Sequence, residues 1–410
     1  MSQWLAQMRL PLIWLESDRN DDAPYDRTLL VLIFSLMSLG LVMVASASMP
    51  ISERMYGQPF HFLLRHLVYV VLSVAALFAI IRIPMERWQQ ANMMLLLVAI
   101  VLLVAVLIVG RKVNGSSRWL ALGPITIQAA EPAKLFFFCY LAGYLVRRRD
   151  EVRENLKGFI KPLAVFFVIA VLLLFEPDLG TVVVMFMTTV GMLFLAGAKL
   201  WQFFSLALMG ILAIGVLAVT SEYRLRRITS FMDPWADPFG SGYQLTQSLM
   251  AFGRGSWFGE GLGNSIQKLE YLPEAHTDFV IAVLAEELGF VGVALVLGLL
   301  LALVVKALLI GRQALHLDRT FEGYFAYGIA IWMAFQGAVN IGASSGLFPT
   351  KGLTLPLISY GGSSLLTLAV TVGILVRIEH EVRMELRQTK RVPNKAKPAK
   401  KADAVPAEES

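Results

Sequence analysis

The sequence predicts an all-α polytopic membrane protein with ten transmembrane helices, both termini cytoplasmic, and a large extracytoplasmic loop between helices 7 and 8. Three observations predict it. Hydrophobic residues make up 57% of the chain and charged residues 16%; soluble domains hold about 45–50% and about 25%. The apolar residues gather in runs of about 20, the length that crosses a hydrocarbon layer. Lys and Arg are shared unequally among the segments between those runs, which sets orientation.

In chain order the runs cover 28–49, 63–81, 92–110, 130–146, 160–176, 180–198, 201–220, 279–307, 322–345 and 353–376. The tightest break is Glu176-Pro177-Asp178, and the longest is 221–278. With the N-terminus inside, 24 of the 36 Lys and Arg fall in cytoplasmic segments, 6 in the short outer loops and 5 in the long loop. The chain therefore divides into a cytoplasmic leader (1–27), a membrane domain (28–376) that includes the large outer loop, and a cytoplasmic tail (377–410). Arg377–Arg387 mixes charges at helical spacing and is expected to extend the last helix, solvated at the lipid headgroups. From Gln388 onward the tail lacks apolar bulk and is expected to be disordered.

The net charge of +6 is thus a topology signal, and no nucleic-acid partner is expected. A single cysteine, Cys139, allows no internal disulfide. The composition excludes a secreted enzyme, a disulfide scaffold and a cytosolic nucleotide-binding fold. Zinc signatures and nucleophile elbows are absent from the sequence. Gly253-Arg254-Gly255 and Gly259-Glu260-Gly261-Leu262-Gly263 form a glycine-rich stretch, but no strand precedes it and it makes a weak phosphate motif.

Charges in or beside a span are costly and mark function by default. They are Glu131, Lys134, Glu176, Asp178, Asp278, Glu286 and Glu287, and most map to the outer half. Glu131 and Lys134 share a helix face three residues apart and can pair. Asp278 opens the eighth span above a strip of small residues, Ala282, Ala285 and Gly289, which suits close helix packing or a ligand. It also suits an N-cap or first-turn acid. This geometry fits a substrate presented by the outer leaflet, such as a lipid-linked one, or a transporter gate.

The stretch Asn340–Ser364, with Pro349-Thr350-Lys351-Gly352 and Ser359-Tyr360-Gly361-Gly362, closely resembles the signature of the SEDS family (shape, elongation, division and sporulation proteins). So do Gly115–Trp119, Glu176–Thr181, Asp237–Gln244 and Leu272–Asp278, spread from the third span to the tenth. The Pro349–Gly352 form is more like the division branch than the elongation branch.

The resemblance implies a peptidoglycan glycosyltransferase that polymerises lipid II at the septum, in the cell inner membrane. It places the catalytic carboxylate on Asp278. The family's Gln-Pro-x-Glu-x-x-Lys motif falls on Gln128–Lys134, with the proline displaced to Pro132, where a first helical turn tolerates it. It leads to Asp278 as general base, and to Lys134, Glu131 and Arg118 as substrate or pyrophosphate contacts. Arg254, Lys268, Lys351, Ser359, Gly361 and Gly362 are weaker candidates. A divalent cation such as Mg2+, held by Asp278 and Glu286, is an optional cofactor. Implied partners are lipid II, a class B penicillin-binding transpeptidase, other division proteins and membrane lipid. A lipid II flippase and a non-catalytic division scaffold are the alternative readings.

Overall fold

Each apolar run of the sequence becomes a helix. In the computed structural model these are α1 (Arg27–Tyr56), α2 (His61–Ile81), α3 (Met85–Val109), α4 (Ala130–Arg147), α6 (Leu156–Phe175), α7 (Leu179–Leu195), α8 (Leu200–Val219), α10 (Val280–His316), α11 (Thr320–Ser344) and α12 (Gly362–Arg391). Two shorter helices, α5 (Arg149–Glu154) and α9 (Tyr243–Gly255), lie between them. The structure describes residues 23–113, 116–122, 125–219, 229–349 and 352–391. Most of the predicted leader, and the predicted disordered tail from residue 392, lie outside the described residues.

Among these residues, α1, α2, α3, α6, α10, α11 and α12 are long and apolar enough to cross a membrane. The chain is accordingly a multi-pass helical membrane protein. α7 is apolar but only 17 residues long, and the 18 residues of α4 include Glu131, Lys134 and Arg147. Burial orders the bundle. In α11 and α12, 67% and 78% of the most apolar window is buried, against 28% in α2 and α3. The first two form the centre and the second two a rim. α11 packs on α10, α4 and α7, and α12 packs on α2.

Three features depart from the sequence expectation. The first is a small antiparallel sheet between α3 and α4, in the order β1 (Arg111–Val113), β2 (Ser116–Leu122), β3 (Ile125–Gln128). Trp119 pairs with Gln128 and Leu122 with Ile125. The second is a break in α10. Gly289 has φ 67° and ψ −166°, which glycine adopts and L side chains do not. The loop fills the break: the N–H groups of Glu260 and Gly261 donate to the Glu286 and Glu287 carbonyls, and those of Phe290 and Val291 donate to Ser256 and Trp257. The helix starts at Val280, one residue after the expected start of the eighth run, and Val280–Leu288 forms a separate head on it.

The third is the end of α12. The expected solvated extension is instead buried, with Ile378, Glu379, Val382 and Arg383 at most 5% exposed. Arg319, between α10 and α11, reaches Glu322, Glu381 and Glu385. Arg377 also pairs with Glu381, at 2.6 Å, and Glu381 accepts from the N–H of Met85 as well. Arg383 donates to the carbonyl of Pro24. Nearby, Asp26 caps α1 by accepting from Leu29 and pairs with buried Lys306 of α10 at 2.7 Å. Charges that match partners on other elements are drawn inward, which sequence spacing along a single helix does not reveal.

Candidate active site

At the opposite end of the bundle, the two loops richest in motif residues meet. One is residues 271–279, which precede α10. The other is residues 352–361, which precede α12. Asp278 is half-buried and lies in the turn before α10; the N-cap position is taken by Phe279, which makes no side-chain cap. Asp278 therefore stands one residue before the N-cap position that the sequence left open for it. A β-carbon built on Gly352 would stand 3.1 Å from Oδ2 of Asp278, so only glycine lets the second loop pass this close to the carboxylate without displacing it.

The loops are held from the side by one face of α11. Trp332, Gln336 and Asn340, four residues apart, lie in line along it. Asn340 Nδ2 donates to the carbonyl of Asp278 at 2.8 Å and to that of Leu353 at 2.5 Å. Gln336 donates to the carbonyl of Thr354 at 3.0 Å and accepts from Trp332 Nε1 at 2.7 Å and from Lys134 Nζ at 3.0 Å. The Tyr360 N–H donates to the carbonyl of His276 at 3.0 Å, closing the junction from the other side. Burial pushes the His276 imidazole below its ordinary value, with Glu274 opposing.

Lys134 is fully buried and pairs with Glu131 at 3.0 Å. Its ammonium also sits 5.1 Å from the centre of the Trp332 ring, a cation–π contact. The displaced Pro132 leaves this geometry intact, because α4 begins at Ala130 and Pro132 falls within its first turn. Glu131 turns inward and is 4% exposed, and its Oε2 has no hydrogen-bond partner.

The hairpin between α6 and α7 abuts the same loop, since a β-carbon on Gly180 would meet Leu353 at 3.2 Å. Asp178 caps α7 through the N–H and hydroxyl of Thr181. Glu176 lies just beyond α6 and is fully buried, and neither carboxylate oxygen has a hydrogen-bond partner. Burial pushes its carboxyl up to about 8, with Asp178 adding to the rise and Arg118 opposing it.

Several sequence candidates have other occupations. Arg118, on β2, donates from Nε and Nη2 to the carbonyls of Glu176 and Pro177 at 2.9 and 2.7 Å, tying the sheet to the hairpin. Lys268 is buried. It donates to Glu287 and to Ser46 Oγ at 2.7 and 2.8 Å, while Ser46 donates to Glu287. Arg254 lies against Glu286 and Glu260. Ser359 Oγ accepts from the Leu355 N–H within its own turn, and a β-carbon on Gly362 would run into the Tyr69 ring at 2.4 Å. A β-carbon on Gly361 would meet Thr354 at 3.3 Å. Lys351 lies outside the described residues.

The cation pair read from the sequence, Asp278 with Glu286, is not built. Glu286 accepts from Ser265, from the N–H groups of Ile266 and Gln267, and from Arg254. Among the described residues no group of three or more His, Cys, Asp or Glu could hold a metal ion. Glu286 is committed to these donors, whereas a Mg2+ ion held through a single carboxylate, waters and substrate phosphates needs no such group. The Ala282–Gly289 strip resolves as close packing: a β-carbon on Gly255 would lie 1.8 Å from the carbonyl oxygen of Ala285.

A family profile described as "Cell cycle protein", covering FtsW, RodA and SpoVE, matches residues 27–384. The chain belongs to this family. Relatives named probable peptidoglycan glycosyltransferase FtsW include one from Alteromonas naphthalenivorans, 66% identical over 90% of this chain and 72% of that protein. Another, from Aliivibrio salmonicida, is 62% identical over 88% of this chain and 90% of that protein. Among solved structures, the rod shape determining protein RodA of Thermus thermophilus superposes with a TM-score of 0.64 at 28% identity, over 87% of this chain and 97% of that one. A chain from a peptidoglycan synthase complex, studied for its coordination of polymerization and crosslinking, reaches 0.70 at 28% identity over 87% and 98%.

Proposed function

We propose that this chain is a peptidoglycan glycosyltransferase that polymerises lipid II at the division septum, with Asp278 as general base. The observation that carries the activity is the match to FtsW glycosyltransferases at 56–66% identity. On this reading all ten long helices cross the cell inner membrane, both termini are cytoplasmic, and Asp278 faces outward, where a lipid-linked sugar carries its pyrophosphate.

In the reaction, the acceptor sugar's 4-hydroxyl attacks the anomeric carbon of the donor. The bond from that carbon to the pyrophosphate oxygen breaks, and undecaprenyl pyrophosphate departs with the electron pair. Asp278 takes the hydroxyl proton, a contribution of about 10²–10⁴-fold for a placed general base. An α-linked donor and a β-1,4 product make the transfer inverting, so no covalent sugar–enzyme intermediate is required.

The half-buried position of Asp278, outside its helix and against Gly352, supports this role. Cationic help for the leaving group falls to Lys351, next in sequence to Gly352, and to the remaining N–H groups of Arg118. Lys134 and Glu131 act from within, holding Gln336 and through it the loop. No step needs a metal held by the protein. A class B penicillin-binding transpeptidase, which crosslinks what this enzyme polymerises, is the proposed partner. Its membrane helix is proposed to run along α10 and α11.

The test is glycan-chain formation from purified lipid II already on the accessible side of the membrane. The wild-type chain beside its transpeptidase should make polymer, and Asp278→Asn at equal abundance should make about 10²–10⁴-fold less. Full polymerisation by Asp278→Asn would overturn the base assignment. Leaflet-to-leaflet movement of lipid II without polymer would favour a flippase. A division-competent Asp278→Asn cell would favour a scaffold.

A further inference from the structure

We infer that Asn340 is a positioning residue for the transfer reaction and acts through Asp278; the inference rests on the reading of Asp278 as the base. Asn340 lies on α11, 62 residues beyond Asp278, and is 1% exposed. An asparagine amide carries two N–H donors. Here both are aimed at main-chain carbonyls of different loops: Asp278 at 2.8 Å and Leu353 at 2.5 Å.

One nitrogen thereby staples the peptide that carries the carboxylate to the loop that follows Gly352, whose α-carbon lies beside Oδ2 of Asp278. Without the staple, two buried carbonyls lose their donor and the two loops are free to part.

Asn340 does not work alone. One turn earlier, Gln336 performs the same operation on the next residue of the loop, donating to the carbonyl of Thr354, and Thr354 Oγ1 is 2.7 Å from Ser364 Oγ on α12. Gln336 is in turn held by Lys134 and Trp332. The two amides form a rack on α11 that registers residues 352–354 against Asp278, and the Glu131–Lys134 pair braces the far end of the rack. Asparagine at 340 and glutamine at 336 differ by one methylene. This matches a rack whose two teeth reach to unequal depth, with Asn340 at the carboxylate end. Asn340 reaches no reacting atom in this scheme; its effect passes through the placement of Asp278.

The experiment uses the full chain with its transpeptidase, purified lipid II as substrate, and the variant Asn340→Asp, which keeps the shape but removes both donors. Thermal unfolding is recorded for each preparation, so that turnover is compared only among folded proteins. Misplacing a catalytic group by about 1 Å costs on the order of 10²-fold in turnover. Asn340→Asp is accordingly expected to lower kcat about 10²-fold with KM for lipid II within about twofold. In an Asp278→Asn background the same change should cost nothing further, because residues that act as a unit are non-additive.

Unchanged kcat in Asn340→Asp would overturn the inference. So would a loss that multiplies with that of Asp278→Asn, which would leave Asp278 as base but place Asn340 on a separate path. Full turnover by Asp278→Asn alone would instead remove the base reading, and this inference with it. Should Asn340→Asp fail to accumulate, the same quantities are measured on Asn340→Ser, whose single short donor cannot bridge both carbonyls.

Discussion

At the Asp26 end of the bundle, charged side chains from the start of α1, the α10–α11 connection and the tail of α12 meet as ion pairs: Asp26 with Lys306, Arg319 with Glu322 and Glu381, Arg377 with Glu381. At the Asp278 end, the loops are joined by neutral amides and main-chain groups, and buried polar atoms there lack partners: both oxygens of Glu176, Oε2 of Glu131 and Oδ1 of Asn340. Buried ion pairs punish the loss of either member, which suits a frame. Neutral clamps fix the geometry of the loops around Asp278 through main-chain groups. The bundle is braced at one end so that the other can carry polar groups not committed to one another.

The contrast can be broken from either side. The largest stability effect belongs to the brace. Asp26→Asn leaves the buried ammonium of Lys306 without its counter-charge and removes a helix cap, and should cost about 3–5 kcal/mol. Thermal unfolding in detergent measures it, and a loss under 1 kcal/mol would show that the pair braces nothing.

Next comes Gly352→Ala. Its β-carbon, 3.1 Å from Oδ2 of Asp278, should displace the carboxylate and lower lipid II turnover at least about tenfold, given how steeply rate falls with misplacement. The unfolding midpoint should hardly move. A midpoint that falls as steeply as for Asp26→Asn would assign Gly352 to the frame.

Glu176 supplies the smallest effect and the one with a pH signature. Its folded-state value is pushed up to about 8, so between the ordinary carboxylate range and pH 8 the folded chain holds a proton that the unfolded chain has lost. Stability therefore falls as pH rises through that window and levels off above it. Glu176→Gln should match wild type near pH 4 and unfold a few degrees higher at pH 8.5, each kcal/mol being worth about 2–4 °C in a chain of this size or somewhat less. An equal midpoint at both pH values would mean that the carboxyl is not buried in its neutral form.

Much of the frame was legible in the sequence because its signal is local. An apolar run of span length announces a helix whatever it packs against, and each of the ten runs holds one, although residues 353–361 of the last run form the loop before α12. The Glu131–Lys134 pair was readable for the same reason, since three residues along a helix fix a shared face. The small sheet carried a local signal too: alternation in Ser116–Leu122, the Gly123-Pro124 turn and the β-rich Ile125–Gln128, obscured by its position between two long apolar helices.

What could not be read is long-range. Arg118 reads from the sequence as a pyrophosphate ligand alone, and only the fold shows that it also donates to the carbonyls of Glu176 and Pro177, 58 and 59 residues away. Lys268 and Glu286 are matched by partners 19 or more residues distant. Asn340 and Gln336 passed as polar positions in an apolar helix. Only the fold reveals which carbonyls they reach, although two amides four residues apart in such a helix were a signal worth weighing.

The break at Gly289 has a mechanical consequence. The head of α10 is nine residues long, about 13 Å at the usual helical rise, and Asp278 rides on its far tip. A tilt of about 10° about the break would swing that tip by roughly 2 Å, twice the displacement that disables a catalytic group. The four main-chain hydrogen bonds between residues 256–261 and the two sides of the break splint the pivot of this lever, so the aim of the carboxylate depends on a loop held at the other end of the head.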